Sequence, residues 1–263
     1  MSLPVYFEQA LETVHPSWRE ILHDALLAMQ SKSPDYLKDL AHDDFLPDGQ
    51  RIFAAFSLPI DKIRYVLVGE GPYPRAASAN GYCFMDAAVD SLWSNEAKGG
   101  LSKSVNRATS LRNFMKMLLL AERVLTIENL NPESMAAVSR QAREDDSGMI
   151  KTMADLHRNF LSNGFLMLNA SLVFRSHVAP TVDARAWEVF LLAIFKALNA
   201  LPQKPVVILW GKIADRLSAI GDYLHINCLD QFPIAKAEHP YNLSFITNAS
   251  MHALFAELKL LRT

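Results

Sequence analysis

Three polar residues could do chemistry: Glu70 and Asn169, each at the end of an apolar run, and His239, just before a proline. Glu70 follows the apolar run Tyr65-Val66-Leu67-Val68, whose length and β-branched content predict a buried parallel strand. Gly69, Gly71, Pro72, Pro74 and Gly81 then stop regular structure, and a loop at the carboxyl end of a central strand is where open α/β sheets bind ligands. A carboxylate there either serves acid–base chemistry or caps backbone amides. Asn169 closes a second apolar run that starts at Gly164; read alone, an asparagine at a strand end is a turn or capping residue. His239, just before Pro240, reads alone as structural. Gly69-x-Gly71 is not a dinucleotide fingerprint, because Pro74 takes the third glycine's place and no helix starts smoothly across these prolines.

The elements that must position these residues follow from periodicity. Residues 5–14 and 16–30 read as helices, the second with Pro16 near its start and Trp18, Ile21, Leu22, Leu26 and Met29 on one face. A polar, proline-interrupted loop over 31–50 leads to a short apolar helix at 51–56. After an irregular stretch over 90–106, a helix is expected over 110–124, with Ser110 as N-cap and Leu111, Phe114, Met115 and Leu118 buried. Residues 127–149, charge-rich around 140–146, read as a mostly helical, solvent-exposed insertion. Helices over 152–161 and 183–198 alternate with strands over 164–169, 205–211 and, more weakly, 223–228; a last helix spans 248–262. Alternation of this kind implies an α/β chain with a mainly parallel sheet and right-handed crossovers.

Composition adds bounds. A chain of 263 residues, half of them hydrophobic, can bury a large core as one domain with insertions. A net charge of −2 gives no bulk attraction for nucleic acid, so DNA affinity would need a local patch. Cys83 and Cys228 lie far apart without a C-x-x-C pair, which excludes a four-cysteine zinc or iron–sulfur site within one chain and any disulfide framework. No metal or cofactor is expected. The amino terminus lacks a basic start followed by an apolar core, and no apolar run approaches a membrane span. We therefore expect an untargeted cytoplasmic monomer.

Four motifs in order resemble the uracil-DNA glycosylases over roughly residues 16–258. VLVGEGPYP followed by Asn80-Gly81-Tyr82-Cys83-Phe84 resembles the family's VVILG-GQDPYH strand and loop with its later G-x-x-F. Leu166-Met167-Leu168-Asn169 resembles LLLN, Ile208-Leu209-Trp210-Gly211 resembles LLWG, and His239-Pro240-Tyr241-Asn242-Leu243-Ser244 resembles HPSPLS. Ala108-Thr109-Ser110-Leu111 matches P-P-S-L, keeping the serine of a DNA-clamping loop. The likeness is closest to the GQDPYH/HPSPLS (family 1 type) enzymes. It implies a three-layer α/β/α sandwich with a central, mainly parallel four-stranded sheet, and removal of uracil or a related damaged base from DNA for base-excision repair.

The resemblance also implies roles. Such enzymes flip the base into a pocket; Asn169 would read its Watson–Crick edge through one amide donor and one acceptor. Phe84 would stack on it, Tyr73 would crowd C5 and exclude the thymine methyl, and His239 would donate to O2 as charge builds on the leaving base. Leu243 would fill the vacated stack, with Ser244, Ser110 and Lys212 near the phosphates. The departures are as telling. Gly71 stands where the motif has its water-fixing aspartate, Glu70 where it has glutamine, Pro74 where it has histidine, Lys212 after LLWG where it has serine, and Tyr241-Asn242 where it has Ser-Pro. GEGP resembles the GEAPG of the iron–sulfur class, whose cysteines this chain lacks. Three readings are consistent with this: an altered glycosylase in which Glu70 supplies the carboxylate or which acts slowly without one, a catalytically inactive DNA- or nucleobase-binding homologue, or a relative in fold alone whose insertion at 127–149 serves a protein partner.

Overall fold

Three apolar runs that are too short for helices become strands β1 (Tyr65–Gly69), β2 (Phe165–Asn169) and β3 (Val206–Trp210) in the computed structural model, which describes residues 2–213, 217, 229 and 231–263. β1 is central and parallel to both neighbours: Tyr65 lies opposite Phe165 and Val206, and Gly69 opposite Asn169. A fourth strand, β4 (Ile234–Ala237), completes the order β2-β1-β3-β4. The Val207 amide donates to the Pro233 carbonyl and the Gly211 amide to that of Ala237, an advance in step that marks a parallel pair. The result is the α/β/α architecture around a mainly parallel four-stranded sheet. The strand expected over 223–228 lies outside the described residues; β4 comes from a later segment.

By their contacts the residues divide into two compact units, Met1–Asp86 with Gly164–Leu209 and Ile213–Ile234, and Ala87–Asn163 with Trp210–Lys212 and Ala235–Thr263. In the first, alternate strand residues Val66, Val68, Leu166, Leu168, Val207 and Leu209 enter one core with Trp18, Phe53, Phe56, Trp187 and Phe190. Full burial of each such side chain contributes about 1.5–3 kcal/mol. Phe190 organises the aromatic part: it stacks on Phe53 at 5.9 Å and meets Trp187 edge-on at 5.1 Å. Trp18, on the helix Pro16–Lys32, satisfies its indole N–H on the Leu58 carbonyl at 2.8 Å. The helix expected over 183–198 is two, Pro180–Ala186 and Glu188–Asn199, because Trp187 takes ψ −5 at the joint.

In the second unit the helix Thr109–Ala121 is central. Its Phe114 stacks on Phe160 at 5.9 Å, meets Phe255 edge-on at 5.2 Å and lies 5.7 Å from Trp210. Ser110 is not its cap: the helix starts one residue earlier, after Ala108, with no side-chain cap, and it is Ser102 that caps the preceding helix Lys103–Arg107 by accepting from the Val105 amide. Thr152 and Asp155 form a reciprocal capping box at the start of Met153–Ser162, a device that typically contributes about 1 kcal/mol. Within 127–149, Pro132–Arg143 is helical, and one face is buried: Ser139 donates to the Ser94 carbonyl at 3.0 Å, and Met135 lies against Gly100, where an added Cβ would come within 2.8 Å.

Candidate functional site

In the first unit the ends of β1 and β2 make one feature. Beyond the strands the ladder continues, the Ala170 amide donating to the Gly69 carbonyl at 2.8 Å and the Ser171 amide to that of Glu70 at 3.1 Å. Gly69 is required here: a Cβ would lie 2.8 Å from the Cys83 Cβ and 2.9 Å from Asn169 Oδ1. The glycine thus makes room for the Asn169 amide, which is 2% exposed and whose side-chain oxygen has no hydrogen-bond partner among the described residues. An orphaned buried polar atom costs about 1–3 kcal/mol unless a water, an ion or a ligand group satisfies it; the Asn113 Oδ1 and Trp187 Nε1 atoms stand in the same position.

Cys83, beside Gly69, leads into Phe84, which Tyr73 meets across the loop. The Tyr73 hydroxyl donates to the Phe84 carbonyl at 3.3 Å. Burial, and then the charge of Asp86, push its pKa well above the usual tyrosine value, so the ring stays neutral. Phe84 has φ 65, a left-handed conformation that costs a bulky residue about 1–3 kcal/mol and recurs at ligand clamps. Cys83 beneath them is inert: its thiol donates to the Leu67 carbonyl at 3.2 Å, and burial pushes its pKa up.

Glu70 is exposed, and among the described residues its carboxylate makes no hydrogen bond or ion pair, so the backbone-capping role is not realised. It lines a cleft of about 350 Å³ with Gly71, Pro72, Ser171, Arg175 and Asp183. Gly71 differs from Gly69. A Cβ there would meet only the Ser171 carbonyl at 3.7 Å and the Ser171 Cβ at 3.9 Å, and its φ is not left-handed. Nothing steric demands glycine at 71. The far wall of the cleft is charged: Arg175 holds Asp183 through two nitrogens, at 3.1 and 2.6 Å, and Asp43 through a third at 2.9 Å, while the Tyr36 hydroxyl donates to Asp183 at 2.7 Å.

In the second unit His239 opens an exposed loop whose shape is imposed by a buried side chain. Asn113, mid-helix and fully buried, donates to the carbonyls of Pro240, Tyr241 and Asn242 at 2.8, 3.2 and 3.4 Å. The Tyr241 amide donates to His239 Nδ1 at 3.1 Å, so Nδ1 is an acceptor, and the neutral tautomer that fits this bond carries its proton on Nε2. Leu243 is 70% and Tyr241 66% exposed, the most exposed large apolar residues among the described residues. Ser244 bonds Glu238, which holds that carboxyl below the usual range, and Asn248 adds a second bond at 2.8 Å. Lys212 is exposed and follows Gly211, where a Cβ would meet that of His239 at 2.9 Å. Ser110 lies half-buried in the first turn of the helix that carries Asn113.

The first unit contains Glu70, Gly71, Tyr73, Phe84 and Asn169, with Glu70 and Gly71 on the cleft, Asn169 beside Gly69 and Tyr73 bonded to Phe84; the second brings His239, Leu243 and Ser244 into one loop with Lys212 beside its start. Sequence reasoning missed Asn113, Arg75, Asp86 and the Arg175 network. Only Asn113 carried a signal, an amide just before the largely apolar stretch Phe114 to Leu120. Among the described residues no group of three or more His, Cys, Asp or Glu could hold a metal ion, and no helix is long and apolar enough to cross a membrane.

No family model matches the chain. Over its whole length it is 34% identical to the wild-type UNG of Nitratifractor salsuginis, whose crystal structure it matches with a TM-score of 0.84, covering 100% of both chains. The uracil-DNA glycosylase of Azobacteroides pseudotrichonymphae genomovar. CFP2 is 26% identical over 230 residues, 86% of this chain and 84% of that relative. That of Phocaeicola vulgatus is 29% identical over 177 residues, 67% of this chain and 62% of the relative. The crystal structure of mimivirus uracil-DNA glycosylase, 17% identical with a TM-score of 0.53 over 91% of this chain and 76% of that one, is similar in fold.

Proposed function

This chain belongs to the uracil-DNA glycosylase superfamily, and from that premise we propose that it hydrolyses the N-glycosidic bond of a flipped uracil, or a related damaged base, in DNA as a step of base-excision repair. The observation that carries the reading is the buried Asn169 amide with its unpartnered oxygen. Uracil's N3–H would donate to that oxygen and its O4 would accept from the amide nitrogen, which removes the orphan. Phe84 supplies the stacking face and Tyr73 the wall at C5. His239, its proton placed on Nε2 by the Tyr241 amide, supplies a hydrogen bond to O2 that strengthens as negative charge builds on the departing base. Leu243 enters the vacated stack, and Ser244, Ser110 and Lys212 serve the backbone.

Glu70 takes the place of the motif aspartate in this reading. Its carboxylate is exposed and, among the described residues, uncommitted; in this reading it orients a water and offsets the positive charge that grows on the sugar. Activity is correspondingly altered relative to enzymes with the aspartate. One observation favours a second reading, a homologue that binds the base or the DNA without cleaving: position 71 has no side chain to carry out the step, although the structure has room for one. Incubating uracil-containing single- and double-stranded oligonucleotides with excess protein, followed by alkali, separates the two. Strand scission that Asn169→Ala and His239→Ala abolish supports the glycosylase; tight uracil-dependent binding without scission supports the binding homologue and overturns the hydrolytic reading. The protein is proposed to act as a cytoplasmic monomer without metal.

A further inference from the structure

Two contacts of equal sequence offset tie the two arms of the loop after β1. Tyr73 bonds Phe84 and Arg75 bonds Asp86, each across eleven residues and each at 3.3 Å. They form two successive rungs, one made by the aromatic pair and one, two residues further along both arms, by an ion pair. Asp86 is 3% exposed, whereas the Arg75 side chain is 66% exposed. A carboxylate buried to that degree is costly unless it is held by charge and hydrogen bonds, and nothing in the proposed chemistry uses it. Between the rungs the chain is strained: the Met85 amide turns back on the Cys83 carbonyl at 2.8 Å, with Phe84 at the apex at φ 65. A three-residue turn of that hand persists only when its surroundings over-determine it.

We propose that the Arg75–Asp86 pair is a specificity-positioning device: it fixes the spacing of the Tyr73 and Phe84 rings and so sets whether a pyrimidine with a substituent at C5 is admitted. This rests on the reading of Tyr73 as the C5 wall and Phe84 as the stacking face. Loss of the second rung frees the strained turn to relax and the Tyr73 wall to yield, and one methyl group's worth of discrimination in a pocket is on the order of ten- to a hundredfold. Asp86 acts through the rings and does not touch the base.

The test measures equilibrium binding of uracil- and thymine-containing duplexes to wild type, Arg75→Ala, Arg75→Lys, Asp86→Asn, Tyr73→Ala and the Arg75→Ala/Tyr73→Ala double variant, with base release followed in parallel. Arg75 is largely exposed, so its variants keep the experiment usable should Asp86→Asn not fold. The expected result is a fall of about tenfold in the uracil-over-thymine ratio for Arg75→Ala and Asp86→Asn, a smaller fall for Arg75→Lys, and no further fall when Arg75→Ala is added to Tyr73→Ala. An unchanged ratio in folded Arg75→Ala, or losses that add in the double variant, overturns the inference. Wild type that discriminates without releasing base removes the hydrolytic reading and leaves the inference standing; wild type that binds both duplexes equally overturns it.

Discussion

Asn113 and Pro240 are 127 residues apart in sequence, and the Asn113 amide nitrogen lies 2.8 Å from the Pro240 carbonyl. With its bonds to the next two carbonyls, this one side chain holds three successive carbonyls of the loop that follows His239. Replacing Asn113 by leucine, of similar volume, leaves the buried Pro240 carbonyl bond unmade along with the two part-buried ones. We expect a loss of about 1–3 kcal/mol in thermal unfolding and a drop in single-turnover excision larger than stability explains. Unchanged excision in a destabilised protein would show that the loop needs no such support.

The two glycines that flank Glu70 should respond oppositely. Gly69→Ala drives a methyl into Asn169 Oδ1 and Cys83 and should cost about 1–3 kcal/mol of stability, as overpacking typically does, together with uracil binding. Gly71→Ala meets only ordinary contacts and should unfold within about 0.5 kcal/mol of wild type. Paired denaturation curves check both.

Leu243, at 70% exposure, contributes nothing visible to the fold. Leu243→Ala should leave the melting temperature unchanged and lower excision from duplex more than from single strands, since only the duplex has a stack to refill. Equal loss on both substrates would remove the wedge role.

Arg175 gives the fold an acid limb. Its guanidinium holds the Asp43 carboxyl below the usual carboxylate range. Because the folded value lies below the unfolded one, this pair's contribution is fully present above about pH 4 and fades as pH falls through the depressed value. Asp43→Asn should lower stability in the neutral range, where the pair's contribution is fully present, and flatten its further loss below that pH, measured by denaturation at a series of pH values. An acid limb as steep as that of wild type would assign it to other carboxylates.

Much of this was legible in the residues, for identifiable reasons. β1, β2 and β3 showed as uninterrupted apolar runs because parallel strands are buried on both faces, and Glu70 and Asn169 could be placed because loops follow such runs at their carboxyl ends. β4 was not readable: Ile-Ala-Lys-Ala is four residues with alternating exposure, and only its pairing with β3 makes it a strand. Ser110 looked like a cap because serine caps helices, yet the helix simply begins one residue before it. Asn113 and Asp86 act through partners brought close by the fold, and no spacing rule links residue 113 to residue 240. The positive φ at Phe84 was invisible for the opposite reason, since a phenylalanine is the last residue one would assign there.

The most direct test of the account is single-turnover release of uracil by wild type, Glu70→Gln and Gly71→Asp on one oligonucleotide. The account predicts release by wild type, a loss of about 10²-fold or more in Glu70→Gln, as removal of a positioned acid–base group typically costs, and activity in Gly71→Asp at or above wild type, because the structure has room for that side chain. Full activity in Glu70→Gln, or no release by wild type while Gly71→Asp is active, would contradict the assignment of the carboxylate to Glu70.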